Sequence, residues 1–238
     1  MLGLGVTGDA VVRHRAAAGD DVTVVEDGPT GEDAYRDRVA TAAAVGAALV
    51  EHPAPARLTE LVRSADIVVP SPGVPLRHPA LMTAREAGVA VRAEIDLAAE
   101  LATARGKLVV AVTGTNGKTT VTTLITSMLD SPGGAALGAG NIGLPLLDAA
   151  ELDARALVVE VSSFQLACTT EAFRPRVAVL LNVAPVVDFD RAPITPQRRP
   201  RSYIYIPSDD HPAGDRGVGM DEGRFVDHRA DAVEFEDS

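Results

Sequence analysis

The stretch KLVVAVTGTNGKTTVTTLITSML, residues 107–129, restricts this chain more than any other. A run of β-branched and apolar residues meets glycines at 114 and 117, then a lysine and two threonines. A segment of helical period follows from Thr119 to Leu129, with Val121, Leu124, Ile125 and Met128 on its expected inner face. A buried strand, a glycine turn and a helix in that order start a parallel α/β layer. The chemistry is as specific as the fold. Glycines let successive N–H groups turn inward, and a helix N-terminus adds partial positive charge. Lys118 supplies an ammonium, and the hydroxyl of Thr119 or Thr120 suits Mg²⁺. The candidate nucleotide site is therefore Gly114, Thr115, Asn116, Gly117, Lys118, Thr119 and Thr120, a cradle for a triphosphate. The general phosphate-loop pattern has a further glycine where this chain has Val112.

The surrounding sequence supports an α/β class throughout. VTVVE (22–26), DIVVP (66–70) and VAVRAE (89–94) read as strands. ATAAAVGAALV and HPALMTAREAG read as helices. Beyond the phosphate loop, ALVVEV (156–161) and VAVLLN (177–182) read as buried strands, with 131–145 as a glycine-rich loop. The reading is an N-terminal Rossmann-like parallel sheet over residues 1–104, followed by an incomplete P-loop α/β domain over 105–185. Aromatic residues are 3% of the chain and tryptophan is absent, so the core must come from Val, Leu and Ala. After Val187 the sequence turns rich in Pro, Arg and Asp, with no period beyond SYIYI. Residues 186–238 are expected to form a poorly ordered tail.

A second glycine motif, GLGVTG, places Gly3, Gly5 and Gly8 near the start, with Glu26 ending the strand that follows. Taken alone, that spacing suggests a dinucleotide site with an acidic residue on a ribose. The motif needs a central strand before it, and only Met1 and Leu2 are there, so that strand is expected to be largely missing. Glu160 closes another buried strand. A carboxylate at that end, close to a phosphate loop, suits a hard cation.

TGTNGKTT, GNIGLPLLDA (140–149), VVEVSSFQL (158–166) and RPRVAVLLNVAP (174–185) together resemble the Mur ligases, and among them the branch that adds D-glutamate. The resemblance runs from about residue 2 to 185. It implies an ATP-dependent ligase that phosphorylates the carboxylate of UDP-N-acetylmuramoyl-L-alanine and passes the acyl group to D-glutamate. It implies ATP and Mg²⁺ as cofactors, Lys118 and Glu160 as catalytic residues, and Thr119 with Glu160 as metal ligands. It further implies that Val6, Thr7, Glu26, Ser71, Gly73, Asn141 and Ser162 hold the UDP-linked substrate. In the family, LN.AP continues into Asp-His-Leu-Asp and later an Ala-Lys pair serving a second metal ion. Here Val186 and Val187 stand at the Asp-His position, Asp188 or Asp190 is a possible substitute, and the only lysines are Lys107 and Lys118. The family's third domain has no counterpart here. The expectation is an incomplete chain, weakly active or inactive, with its divergent tail arising from a frameshift, a fusion or a stub.

Other classes fare less well. A net charge of −11 disfavours nucleic acid and anionic membranes as partners. Cys168 is the sole cysteine, which excludes an intrachain disulfide; with no basic residue within five positions, it reads as structural. The five histidines lack ligand spacing. Phe164 and Leu166 read as core. The chain reads as a cytoplasmic monomer acting on small molecules. The alternatives are a nucleotide- or UDP-sugar-binding module without turnover, another amide ligase of the superfamily such as a folylpolyglutamate synthase, and, remotely, a Rossmann dehydrogenase.

Overall fold

The computed structural model describes residues 1–28, 33–130 and 135–183, together with strand segments 203–205, 220–221 and 224–225. The N-terminal elements alternate as expected: α1 (Val6–Ala17), β1 (Thr23–Glu26), α2 (Asp33–Ala44), β2 (Ala48–Glu51), α3 (Pro55–Arg63), β3 (Ile67–Val68), α4 (Pro79–Ala87), β4 (Ala90–Val91) and α5 (Glu94–Ala104). Strand β1 pairs in parallel with β2, and β3 with β4. The segment read as one helix from Ala40 to Val50 divides between α2 and β2, because Gly46 turns the chain in a left-handed conformation at φ +80°.

Ahead of the glycine turn the chain makes isolated strand pairing at Leu2, with no named strand before α1. Leu2 bridges in parallel to both Val25 and Pro70. Its N–H donates to the Val69 carbonyl and its own carbonyl accepts from Ser71, each at 2.8 Å. Gly3 and Met1 complete the pairing with Val25. Three residues thus link the two strand pairs and deliver the chain directly into the glycine turn. The Met1 ammonium lies buried against the Thr23 carbonyl, and desolvation lowers its pKa from 8.0 to about 6. The turn is tight. A Cβ on Gly8 would lie 2.2 Å from the Gly3 carbonyl oxygen, so α1 starts as close to the first strand as backbone allows.

The middle region contains β5 (Leu108–Thr113), α6 (Lys118–Leu129), β6 (Ala136–Gly140), α7 (Leu146–Glu151), β7 (Ala156–Glu160), α8 (Ser163–Cys168) and β8 (Val177–Leu180). Strand β9 (Tyr203–Tyr205) joins the same sheet, in the order β6-β7-β5-β8-β9, with the first four parallel and β9 antiparallel. Outside it, β10 (Met220–Asp221) and β11 (Arg224–Phe225) pair with each other. The remainder of 186–238 lies outside the described residues.

Three local expectations change. The glycine-rich loop contains β6, whose small residues let α6 approach: a Cβ on Gly138 would sit 3.3 Å from Thr126 Oγ1. Helix α6 faces the sheet with Val121, Thr122 and Ile125. Leu124 and Met128, expected inside, are 56% and 72% exposed. Phe164 and Leu166 are exposed as well. The buried member of SSFQL is the polar Gln165, drawn in by the start of α8.

One hydrophobic core includes residues from both regions: Ala10 and Val11 of α1, Ile95 and Ala98 of α5, Val109 of β5, Leu146 and Leu147 of α7, and Leu157 of β7. Arg13 reinforces this junction by donating to both oxygens of Asp148 at 3.0 Å. The glycine turn of α1 and the loop before α7 are therefore fixed relative to each other, which matters for the cavity between them.

Candidate active site

Strands β5 and β7 are neighbours, so the residues at their C-terminal ends meet. Glu160 ends β7 and is only 3% exposed. Its Oε2 accepts the Thr119 hydroxyl at 2.7 Å, and its Oε1 accepts the Asn141 side-chain amide at 3.0 Å. The Asn141 N–H also donates to the Glu160 carbonyl, at 2.9 Å. A buried carboxylate is tolerable only when its lone pairs are occupied, and here both oxygens are.

The phosphate loop has the expected left-handed glycines, with Gly117 at φ +84° capping α6. Lys118 Nζ folds back onto the carbonyls of Gly114 and Thr115, at 2.7 and 3.2 Å. The first-turn N–H groups of Lys118, Thr119 and Thr120 have no partner among the described residues, leaving an anion site of the usual helix-terminus kind. The cradle is narrower than the sequence suggests. The N–H groups of Thr115 and Asn116 both donate to Asn182, one to its carbonyl and one to its side-chain oxygen, each at 2.9 Å. Sequence reasoning did not pick out Asn182. Its signals were its place directly after the apolar run VAVLL and within the LN.AP string that carries the family resemblance.

The second component is a cavity of about 700 Å³ between the two regions. Val6, Thr7, Glu26, Ser71 and Gly73 line it from the N-terminal side, and Gly140, Asn141, Gly143 and Pro145 from the other. Six of the seven expected substrate residues are thereby gathered around one space. Ser162 is not among them; its hydroxyl and N–H form a capping box with Gln165 at the start of α8. Glu26 lines the cavity but is engaged, accepting from Leu4 N–H at 2.6 Å and Gly28 N–H at 2.7 Å. It holds the turn rather than presenting free oxygens. Among the described residues, His78 is the one basic side chain on the lining. Its Nδ1 accepts the Ala80 N–H, so Nε2 carries the proton that is donated to Asp27 at 2.9 Å. The phosphate loop itself does not line this cavity. Asn141 does, and through Glu160 it joins the cavity to Thr119.

The donor set at this junction fits Mg²⁺. A carboxylate and a hydroxyl 2.7 Å apart are hard oxygen ligands, and Mg²⁺ commonly takes one or two protein oxygens with phosphate and water completing its shell. Among the described residues no cluster of three His, Cys, Asp or Glu side chains could hold a metal without such help. Asp188 and Asp190 lie outside the described residues.

Comparison with known proteins follows the same division. Residues 1–93 match the Mur ligase MurD-like N-terminal domain, and residues 112–186 match the Mur ligase middle domain. The chain belongs to the Mur ligase family. The UDP-N-acetylmuramoylalanine–D-glutamate ligase of Desulfosudis oleivorans is 45% identical over 186 residues, covering 77% of this chain and 39% of that protein. The corresponding ligase of Thermobifida fusca is 42% identical over 189 residues, covering 78% and 39%. A Mur ligase structure from Neisseria meningitides, the UDP-N-acetylmuramate:L-alanyl-gamma-D-glutamyl-meso-diaminopimelate ligase, aligns with a TM-score of 0.45 and 21% identity, over 77% of this chain and 59% of that one. This Mur ligase chain therefore spans about two fifths of the length of the curated relatives it matches. None of its described helices is long and apolar enough to cross a membrane.

Proposed function

We propose that this chain carries the UDP-sugar and ATP sites of a D-glutamate-adding Mur ligase, which joins D-glutamate to UDP-N-acetylmuramoyl-L-alanine in peptidoglycan precursor synthesis. The observation that carries the reading is the Asn141–Glu160–Thr119 chain of hydrogen bonds, which ties the inter-region cavity to the phosphate loop. A ligase of this kind must bring two anions together, a substrate carboxylate and the γ-phosphate of ATP. The UDP moiety would lie against the turn at Val6 and Thr7 and the Ser71–Gly73 loop. The muramoyl-alanine end would then extend past Asn141 toward Glu160. ATP would place its phosphates on the free N–H groups of Lys118, Thr119 and Thr120. Lys118 would exchange its contacts with Gly114 and Thr115 for phosphate oxygens, offsetting charge as the phosphoryl group moves to the carboxylate. Thr119 and Glu160 would hold Mg²⁺, which lowers the charge repulsion between those anions when bound. Attack by the amine of D-glutamate on the acyl phosphate, with loss of phosphate, completes the amide.

A second reading, binding without turnover, is favoured by one observation. Lys107 and Lys118 are the only lysines, and Lys107 is engaged with the Leu152 carbonyl. No further lysine can assist phosphoryl transfer in these 238 residues. The two nucleotides should therefore bind, with little or no turnover by this chain alone. Calorimetric titration with UDP-N-acetylmuramoyl-L-alanine and with MgATP tests both readings, with Asn141→Ala as the probe of the link. Binding of both ligands, each weakened by the substitution, is expected. Binding of NAD(H) or a folate in place of the UDP ligand would overturn the ligase reading, and ADP release at ordinary enzyme rates would overturn the second.

A further inference from the structure

We propose that Asn182 is the positioning residue of the phosphate loop, holding it in its anion-binding shape from the neighbouring strand; this rests on the nucleotide reading given above. Asn182 follows β8 at the C-terminal edge of the sheet, next to the end of β5. All three of its polar groups beyond its own N–H point to the loop. Its carbonyl accepts the Thr115 N–H at 2.9 Å, its Oδ1 accepts the Asn116 N–H at 2.9 Å, and its Nδ2 donates to the Asn116 carbonyl at 2.9 Å. The last two bonds engage one residue's N–H and C=O with a single side-chain amide, the exchange a paired strand would make.

The loop is shaped around this contact. Gly114 lies at φ +143°, and a Cβ there would sit 3.1 Å from both the N and O atoms of Asn182 and from Leu181 Cβ. Glycine at 114 and asparagine at 182 are therefore two halves of one fit. The contact also sorts the loop's donors. With the amides of Thr115 and Asn116 turned toward Asn182, those of Lys118, Thr119 and Thr120 are left for phosphate. A loop of small residues with two left-handed glycines has many conformations available, and fixing it before binding removes an ordering cost from nucleotide affinity.

Asparagine is specific to this task. Aspartate keeps the acceptor for Asn116 N–H but sets a second oxygen against the Asn116 carbonyl and adds a negative charge beside the phosphate site. Alanine keeps only the backbone contact. The UDP cavity shares no lining residue with this clamp, so it provides an internal control.

The test is calorimetric titration of the whole chain, and of its Asn182→Ala and Asn182→Asp variants, with MgATP and separately with UDP. Hydrogen exchange at residues 114–117 is followed in parallel. Loss of two hydrogen bonds that preorganise the site should weaken MgATP about tenfold or more in Asn182→Ala, and further in Asn182→Asp. UDP affinity should stay within about twofold, and exchange should quicken at 114–117 but not in β5 and β7. Unchanged MgATP affinity in Asn182→Ala, with the unsubstituted chain binding normally, overturns the positioning role alone. So does parallel loss of UDP and MgATP binding, which would make Asn182 a general fold residue. Failure of the unsubstituted chain to bind MgATP overturns the nucleotide reading and this inference with it.

Discussion

Glu94 offers a quantitative test of how the two regions are joined. It begins α5, is 3% exposed, and its Oε1 accepts the Leu147 N–H at 2.7 Å, at the start of α7. It thus anchors the helix that follows the cavity-lining loop. Burial raises its pKa from 4.5 to about 7, against the opposing effect of the backbone N–H groups it accepts, while the nearby Asp148 raises it further. The sign follows from proton counting. Between 4.5 and about 7 the folded chain keeps a proton that the unfolded chain has released. Stability from this group is thus full below 4.5 and declines as pH rises to about 7. At 1.36 kcal/mol per pH unit, that interval is worth roughly 3 kcal/mol. Glu94→Gln keeps an acceptor for Leu147 and removes the ionisation. In urea unfolding, the variant should gain roughly 3 kcal/mol relative to the unsubstituted chain between pH 4.5 and pH 8. Other titrating groups are common to both proteins and cancel in the difference. A stability difference that is flat across this range would refute the argument that Glu94 is held as a neutral acid below pH 7.

Three further outcomes are expected. The Met1 amine, with its pKa lowered from 8.0 to about 6, leaves the unfolded chain holding the extra proton in that window, so stability should rise with pH between 6 and 8; unfolding of the Glu94→Gln chain at pH 5.5 and 8.5 measures that rise, expected at roughly 3 kcal/mol. Gly140→Ala should cost about 2–4 kcal/mol in urea unfolding, since the residue lies at φ +99° and its new Cβ would meet the Glu160 carbonyl at 2.4 Å. Gly46→Ala, at φ +80° with open space around it, should cost only about 1 kcal/mol in the same assay.

What could be read from the sequence was what is local. The strand, glycine turn and helix around Lys118 follow from residue types within a short span, and so does the exposed first turn of α6. Strand β6 escaped notice because Ala-Leu-Gly-Ala-Gly has no β-forming character of its own; it is a strand because β7 pairs with it and α6 packs close over Gly138. On α6, Val121 and Ile125 face the sheet as expected, but Thr122 takes the remaining inner position and Leu124 and Met128 stay outside, because the sheet covers a narrower stripe of the helix than its apolar residues span. Glu26 lines the cavity, and its engagement by Leu4 and Gly28 depends on the shape of two turns. Ser162 is read as a substrate contact, and the capping box it forms with Gln165 three residues later is a second role that the S-S-F-Q spacing also allows. Asn182 stands in the LN.AP string that carries the resemblance, but its contacts exist only where β8 meets the loop after β5.

The central claim is that Lys118, Thr119 and Glu160 form a magnesium-assisted triphosphate site. Titration with ATP, with and without Mg²⁺, on the unsubstituted chain and on Lys118→Ala and Glu160→Gln, addresses it most directly. Mg²⁺ should strengthen ATP binding, Glu160→Gln should remove most of that gain, and Lys118→Ala should weaken ATP with or without the metal. ATP affinity indifferent to Mg²⁺ and to both substitutions would contradict the claim.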